Sequence, residues 1–130
     1  MAGELTERRD ELATLLTEQG LAPAIQPLVR RIYLFDSYVA GTTHLEDASA
    51  LEHIAEGEEL TLQREENKFD SNAILVLNSA RQKLGYIPEK DNLIFSRLLD
   101  AGKLLTARIS GITRHGSYVQ IAIGIYLLDF

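Results

Sequence analysis

Apolar residues recur in this chain with the two-residue period of β-strands. Near the C-terminus, Val119, Ile121, Ile123 and Ile125 alternate strictly with other residues, which predicts a strand with one buried face. Other apolar and aromatic runs predict further strands, and Pro88 ends one of them because proline cannot donate to a ladder. The predicted strands are 32–40, with a break at Asp36 and Ser37, 58–64, 73–78, 83–87, 104–112 and 118–128.

Three segments have the longer period of an amphipathic helix. In 4–19 the recurring apolar residues are Leu5, Leu12, Leu15 and Leu16, and Gly20 is a stop signal. A second helix is predicted over 46–56, with Leu51, Ile54 and Ala55 facing inward. A third is predicted over 90–101, with Leu93, Ile94, Leu98 and Leu99 as its apolar residues.

The order of these elements predicts a mainly β fold. Apart from the helix over 4–19, the chain has two predicted helices among about six strands. Two helices are too few to form the crossovers of a doubly wound parallel sheet. An OB-like antiparallel β-barrel fits better, because a curled sheet protects its own edges. We therefore expect a helical appendage over 1–30, followed by a barrel domain over 31–130.

Composition narrows the function classes. The chain has no cysteine, which excludes disulfides and Cys-based zinc sites and favours a cytoplasmic protein. It has no apolar run near the roughly 18 residues of a membrane span, and its acidic start does not resemble a signal peptide. Three scattered histidines and isolated glycines predict neither a metal site nor a cofactor.

Charge is distributed unevenly. The net charge of -6 argues against a general nucleic-acid coat protein. Most acids lie in residues 1–80, whereas 81–118 is rich in lysine and arginine. A partner with phosphates would therefore meet the later segment more readily, unless the charges simply face solvent.

One polar turn, 64–72, separates two predicted strands and contains an aromatic residue, Phe69, beside Asp70. The ring either plugs the end of the barrel or offers a stacking face to a base, an interaction worth roughly 1–3 kcal/mol per base. A carboxylate beside it would repel phosphates but would accept a hydrogen bond from a terminal sugar hydroxyl. The pair therefore points to a strand end.

Four blocks of sequence resemble the HIRAN domain. They are VAGTTH at 39–44, GEELTLQRE at 57–65, NKFDSNAI at 67–74 and LGYIP at 84–88, in the order and spacing of that family. The resemblance covers about 32–112 and does not include 1–30. It implies an OB-like β-barrel with two helices.

The resemblance also implies a ligand, the 3′ end of single-stranded DNA. The family's Tyr-Asp pair falls on Phe69 and Asp70, which would stack on a base and accept the 3′-hydroxyl. A second aromatic falls at or near His44. Together with the basic residues Lys83, Lys90 and Arg64, which would lie near the backbone phosphates, the predicted DNA-binding set is Phe69, Asp70, His44, Thr43, Asn67, Arg64, Tyr86, Lys83 and Lys90.

Several residues depart from the family pattern. Thr43 stands where a basic residue is expected, Glu89 replaces another, and Lys68 replaces a proline. The first two departures remove phosphate contacts and would weaken DNA binding.

The sequence thus predicts a non-catalytic module that recognises single-stranded DNA 3′ ends in DNA repair or processing. One alternative is a protein-interaction domain that uses the acidic region 1–60, or self-associates through the leucine stripe of 4–19. Another is a metal-dependent nuclease using Glu65, Glu66 and Asp70, with His44 as a further ligand.

Overall fold

The structure is a computed structural model and describes residues 30–129. The helix predicted over 4–19, and nearly all of the appendage predicted over 1–30, lie outside the described residues. By its internal contacts the chain divides into one unit of 1–31 with 129–130 and another of 32–128. Apart from the outermost residues of its first and last strands, Arg30, Arg31 and Asp129, the fold described below is that of the second unit.

Six strands form one sheet. They are β1 (Arg30–Tyr38), β2 (Glu59–Arg64), β3 (Ile74–Leu77), β4 (Lys83–Tyr86), β5 (Leu104–His115) and β6 (Tyr118–Asp129). Their order across the sheet is β1-β6-β5-β2-β3-β4, and neighbouring strands are antiparallel. The prediction of a mainly β fold with about six antiparallel strands is confirmed.

The sheet is curled into a half-barrel. Just after β1, Ala40 exchanges two backbone hydrogen bonds with Tyr86 of β4, at 2.8 and 2.9 Å. This bridge joins chain from the two opposite edges of the sheet. Gly85 permits the approach, because a Cβ at that position would lie 2.2 Å from the carbonyl oxygen of Ala40. The absence of a side chain at Gly85 therefore allows the two edges of the sheet to meet at this point.

The core lies on the concave side of the sheet. As predicted from their alternation, Val119, Ile121, Ile123 and Ile125 of β6 are all buried. Strands β5 and β6 run further than predicted, to a two-residue turn at Gly116 and Ser117. Gly116 has φ of 60°, the left-handed value that a tight hairpin turn requires at this position.

One α-helix is present in the described chain, α1 (Glu89–Asp100), close to the predicted 90–101. Phe95 is buried on its inner face, whereas Leu93 and Ile94 are exposed. The strand β1 is continuous through Asp36 and Ser37, where a break was expected.

The α-helix predicted over 46–56 is wrong. A short 3₁₀ helix, Ala48–Glu52, forms instead. Leu51 and Ile54 are buried as predicted, but Ala55 is exposed, and its backbone N–H donates to the carboxylate of Glu58 at 3.3 Å. Leu51 lies in this 3₁₀ helix and Ile54 lies just after it, so the burial of both residues does not require a longer helix.

Candidate nucleic-acid interface

Phe69 lies at the tip of the segment 65–73, which we call the recognition turn. Its side chain is 86% exposed, so the interpretation that the ring plugs the barrel end is wrong. The ammonium of Lys68 lies 5.1 Å from the centroid of the ring. An exposed aromatic ring with a cation beside it is suited to contact a planar, negatively charged ligand.

The recognition turn is held by its own side chains. Asn67 Oδ1 accepts from the backbone N–H of Phe69 at 2.8 Å, and Asp70 Oδ1 accepts from that of Asn72 at 2.9 Å. The N–H of Ala73 donates to the carbonyl of Asp70, and that of Glu65 donates to the carbonyl of Ala73. Asn and Asp favour such turns because their short side chains replace a backbone acceptor. The exposed ring therefore stands on an ordered backbone.

Arg64, at the end of β2, ties the turn together from below. Its Nη1 and Nη2 donate to the carbonyls of Ala73 and Ser71 at 2.7 and 2.8 Å. Its Nε donates to Asp100 Oδ1 at 2.9 Å. The contacts of this guanidinium are thus internal, and the expected role of Arg64 beside DNA phosphates stays a prediction.

Helix α1 lies along the other side of the turn. Nδ2 of Asn92 donates to Asp70 Oδ2 at 2.8 Å, and Arg97 donates to Asn72 Oδ1 at 3.1 Å. Asp100, one further turn along, pairs with Arg64 as described. Asn92 is only 2% exposed, and the sequence pattern did not point to it or to Arg97. From sequence alone, a polar residue on a helix is expected to face solvent, because its hydrogen-bond partner in the fold is not known.

A second cluster brings Tyr86 to the base of the turn. The Tyr86 hydroxyl donates to the carboxylate of Glu65, at 2.9 and 3.0 Å from its two oxygens. Lys83 donates to the same hydroxyl at 3.0 Å, and its ammonium lies 4.4 Å from the ring centroid. Asn67 also reaches Glu65, at 3.3 Å. Of the predicted site residues, Asn67 and Tyr86 therefore meet at Glu65, and Lys83 joins them through the Tyr86 hydroxyl.

The remaining predicted residues lie further along the surface. Thr43 and His44 belong to a 3₁₀ turn, Thr42–His44, and both are exposed. His44 lines a depression that it shares with Lys83. Lys90 contacts Asp91 at 3.1 Å and lies 5.5 Å from the ring centroid of Tyr38, so its observed contacts are with the start of α1 and the end of β1.

The residues of the nuclease alternative do not assemble a metal site. Within residues 30–129, no three of the histidine and acidic side chains form a group that could hold a metal ion. The carboxylate of Glu65 is instead bonded to Tyr86 and Asn67. The same part of the chain contains no helix that is long and apolar enough to cross a bilayer.

Comparison with known proteins gives consistent matches. The family model described as the HIRAN domain matches residues 32–127. A crystal structure of a protein from Lactobacillus plantarum is similar, with 26% identity and a TM-score of 0.73 over 78% of this chain and 99% of that one. The HIRAN domain of human HLTF has 16% identity and a TM-score of 0.61, over 78% and 79% of the two chains. Curated protein sequences give no significant match.

Proposed function

The chain belongs to the HIRAN domain family, and from this premise we propose that it is a non-catalytic module that binds the 3′ end of single-stranded DNA. Membership in the family supports nucleic-acid binding. Recognition of the strand end, and of the 3′ end in particular, is the finer part of the proposal. It depends on Phe69 and Asp70.

The observation that carries the proposal is the exposure of Phe69. Burying a large aromatic ring in the core would have stabilised the fold, yet 86% of this side chain faces solvent on an internally bonded turn. A pre-ordered aromatic surface loses little conformational freedom when a ligand covers it. The ring would stack on the terminal base in a manner that tolerates any base.

Asp70 supplies the preference for a hydroxyl. Its two oxygens accept from neutral donors, the N–H of Asn72 and the amide of Asn92. Each carboxylate oxygen has two lone pairs, so each retains capacity for a further donor. A 3′-hydroxyl would donate to it, whereas a 3′-phosphate would meet a like charge.

Cations around the turn would contact the backbone of the strand. Lys68 lies beside the stacking ring, Lys83 at the base of the turn, and Lys90 on the first turn of α1. His44 and Thr43, which are exposed, would lie on the path that includes Lys83. Tyr86 and Asn67 would support the site through Glu65.

A titration of short single-stranded DNA tests the proposal. Oligonucleotides labelled at the 5′ end would be compared with a free 3′-hydroxyl and with a 3′-phosphate, by fluorescence anisotropy at low salt. We expect tighter binding to the hydroxyl end, and weaker binding to a circular strand that has no end. Equal affinity for all three, or no binding, would contradict end recognition.

The protein-interaction alternative stays a prediction. Its leucine stripe, 4–19, lies outside the described residues. A comparison of the molar mass of the full chain with that of a variant starting at residue 30, by light scattering, would test self-association through that segment. If both the full chain and the shortened variant are monomeric, self-association through 4–19 is contradicted.

A further inference from the structure

We propose that Asn92 is a positioning residue that sets the discrimination between a 3′-hydroxyl and a 3′-phosphate by holding the carboxylate of Asp70 with a neutral donor. This inference rests on the proposed end recognition and adds a residue to it. The resemblance by sequence did not identify Asn92, and the contact joins two residues 22 positions apart.

The geometry fixes both oxygens of the carboxylate. Oδ1 accepts from the backbone N–H of Asn72 at 2.9 Å, and Oδ2 accepts from Nδ2 of Asn92 at 2.8 Å. The first donor belongs to the turn itself. The second comes from α1, so the rotation of the Asp70 side chain is set by a separate element of the fold. With only the first bond, the carboxylate could swing about its side-chain torsions.

Burial gives the Asn92 amide its rigidity. The side chain is 2% exposed, and it lies on the same face of α1 as Ser96, which is fully buried. Water therefore competes little for the amide, and a hydrogen bond from a buried donor to a charged acceptor is among the stronger kinds. A flexible surface side chain at this position would hold Asp70 less firmly.

The neutrality of the donor is as important as its position. Among the residues that the structure describes, Arg30, Arg64, Lys90 and Arg108 pair with Asp129, Asp100, Asp91 and Glu59, and none of these pairs includes Asp70. Its negative charge is therefore oriented without being neutralised by a paired cation. A lysine or arginine in place of Asn92 would also hold the carboxylate, but its positive charge would attract a 3′-phosphate. Specificity of this kind needs a repulsive element as well as an attractive one.

The test is the ratio of two dissociation constants, that for a 3′-phosphate strand over that for a 3′-hydroxyl strand. We expect a ratio well above one for the wild type and a fall of roughly tenfold in Asn92→Ala, since a hydrogen bond to a charged group is lost. Loss of folded protein scales both constants equally, so the ratio is insensitive to partial unfolding. Arg97→Ala removes another α1 contact to the same turn and should keep the wild-type ratio.

A measurement on the wild type complements the variants. The side-chain amide resonances of Asn92 should shift on addition of a 3′-hydroxyl strand, because its acceptor gains a second donor, and should shift much less with a 3′-phosphate strand. A wild-type ratio near one would overturn the proposed end recognition and this inference with it. A high wild-type ratio that Asn92→Ala leaves unchanged would overturn the role of Asn92 alone.

Discussion

At the scale of single residues, Phe69 separates binding from folding. Because its ring is 86% exposed, Phe69→Ala should leave the melting temperature nearly unchanged. We expect the same substitution to weaken binding of single-stranded DNA by about 1–3 kcal/mol, through the loss of stacking. Anisotropy titration and thermal denaturation of the same samples measure both quantities.

Tyr118→Ala is the matched control for this prediction. Tyr118 is also a surface aromatic, 45% exposed, but it begins β6 beside the hairpin turn and belongs to none of the contacts of the recognition turn. Its removal should leave DNA affinity unchanged, and Phe69→Tyr should retain binding. If both alanine variants lose affinity alike, stacking on Phe69 is not the cause.

Asp47 gives a prediction for pH. The Ser49 hydroxyl and then the Ser49 backbone N–H, which both donate to it, hold the pKa of this carboxyl below its ordinary value of 3.8. A lowered folded-state pKa means that Asp47 stabilises the fold above the unfolded-state pKa and loses this contribution as pH falls through the folded-state one. The melting temperature of the wild type should therefore exceed that of Asp47→Ala at neutral pH, and the difference should fade below about pH 4.

Asp47→Asn is the control for the titration. Its amide oxygen can accept the same hydrogen bonds without ionising, so its advantage over Asp47→Ala should not depend on pH in this range. A wild-type advantage that persists unchanged at pH 2 would show that the carboxylate form is not what stabilises the 3₁₀ helix.

Single side chains differ in how far the sequence could predict them. The exposure of Phe69 was predictable because every neighbour in its turn is polar, although burial of the ring at the barrel end was an alternative. The contact of Asn92 was not predictable, since its partner Asp70 is distant in the chain and a polar helix residue normally faces water. Arg64 was placed near phosphates for its charge, whereas its guanidinium bonds to two carbonyls that only the folded turn brings within reach.

At the scale of elements, Gly85 controls the closure of the barrel. An added Cβ would lie 2.2 Å from the Ala40 carbonyl oxygen and 2.7 Å from a Val39 methyl carbon, and φ is 156°. Gly85→Ala should therefore force β4 away from Ala40 and cost at least about 2 kcal/mol in the free energy of unfolding. Urea denaturation followed by circular dichroism measures this cost.

Gly111→Ala provides the comparison within another strand. Its Cβ would meet only the Cβ of Ala122, at 3.8 Å, which is an ordinary contact. We expect a change within about 1 kcal/mol, since glycine in a strand interior is itself unfavourable. Equal losses in the two variants would mean that closure at Ala40 contributes little to stability.

Strands were easier to predict than helices for a physical reason. The alternation in β6 extends over enough residues that a helix could not bury the same side chains. In 46–56, by contrast, three residues are buried, Ala50, Leu51 and Ile54, and these are too few to distinguish an α-helix from a short 3₁₀ helix followed by irregular chain. The hydrogen bonds found there, from Ser49 to Asp47 and from Ala55 to Glu58, involve polar groups that hydrophobic periodicity does not report.

At the scale of the whole molecule, charge limits the affinity for DNA. The chain has a net charge of -6, and Lys68, Lys83 and Lys90 are the cations placed near the proposed path. Three phosphate contacts on a single strand predict a slope of about −2 in log affinity against log salt, so a fourfold rise in salt should cost roughly 20-fold in affinity. DNA titrations at salt concentrations from about 50 to about 200 mM measure this slope. A much steeper slope would mean that the strand follows a more basic surface.

The overall architecture was largely predictable, but its closure was not. Strand number, antiparallel pairing and the position of α1 follow from runs of apolar residues separated by turns. The two edges of the sheet meet at the bridge between Ala40 and Tyr86, which are distant in the chain, so no local pattern predicts it. The same closure sets the position of the Tyr86 ring at the base of the recognition turn.

The internal bonds of Arg64 have a consequence for how this surface can evolve. Because the guanidinium holds the carbonyls of Ser71 and Ala73, the shape of the recognition turn does not depend on the exposed side chains around it. Exposed positions such as Thr43, Lys68 and Glu89 are therefore free to gain or lose charge without moving the backbone that presents Phe69. Affinity can drift, or be engineered, independently of the geometry that chooses the ligand.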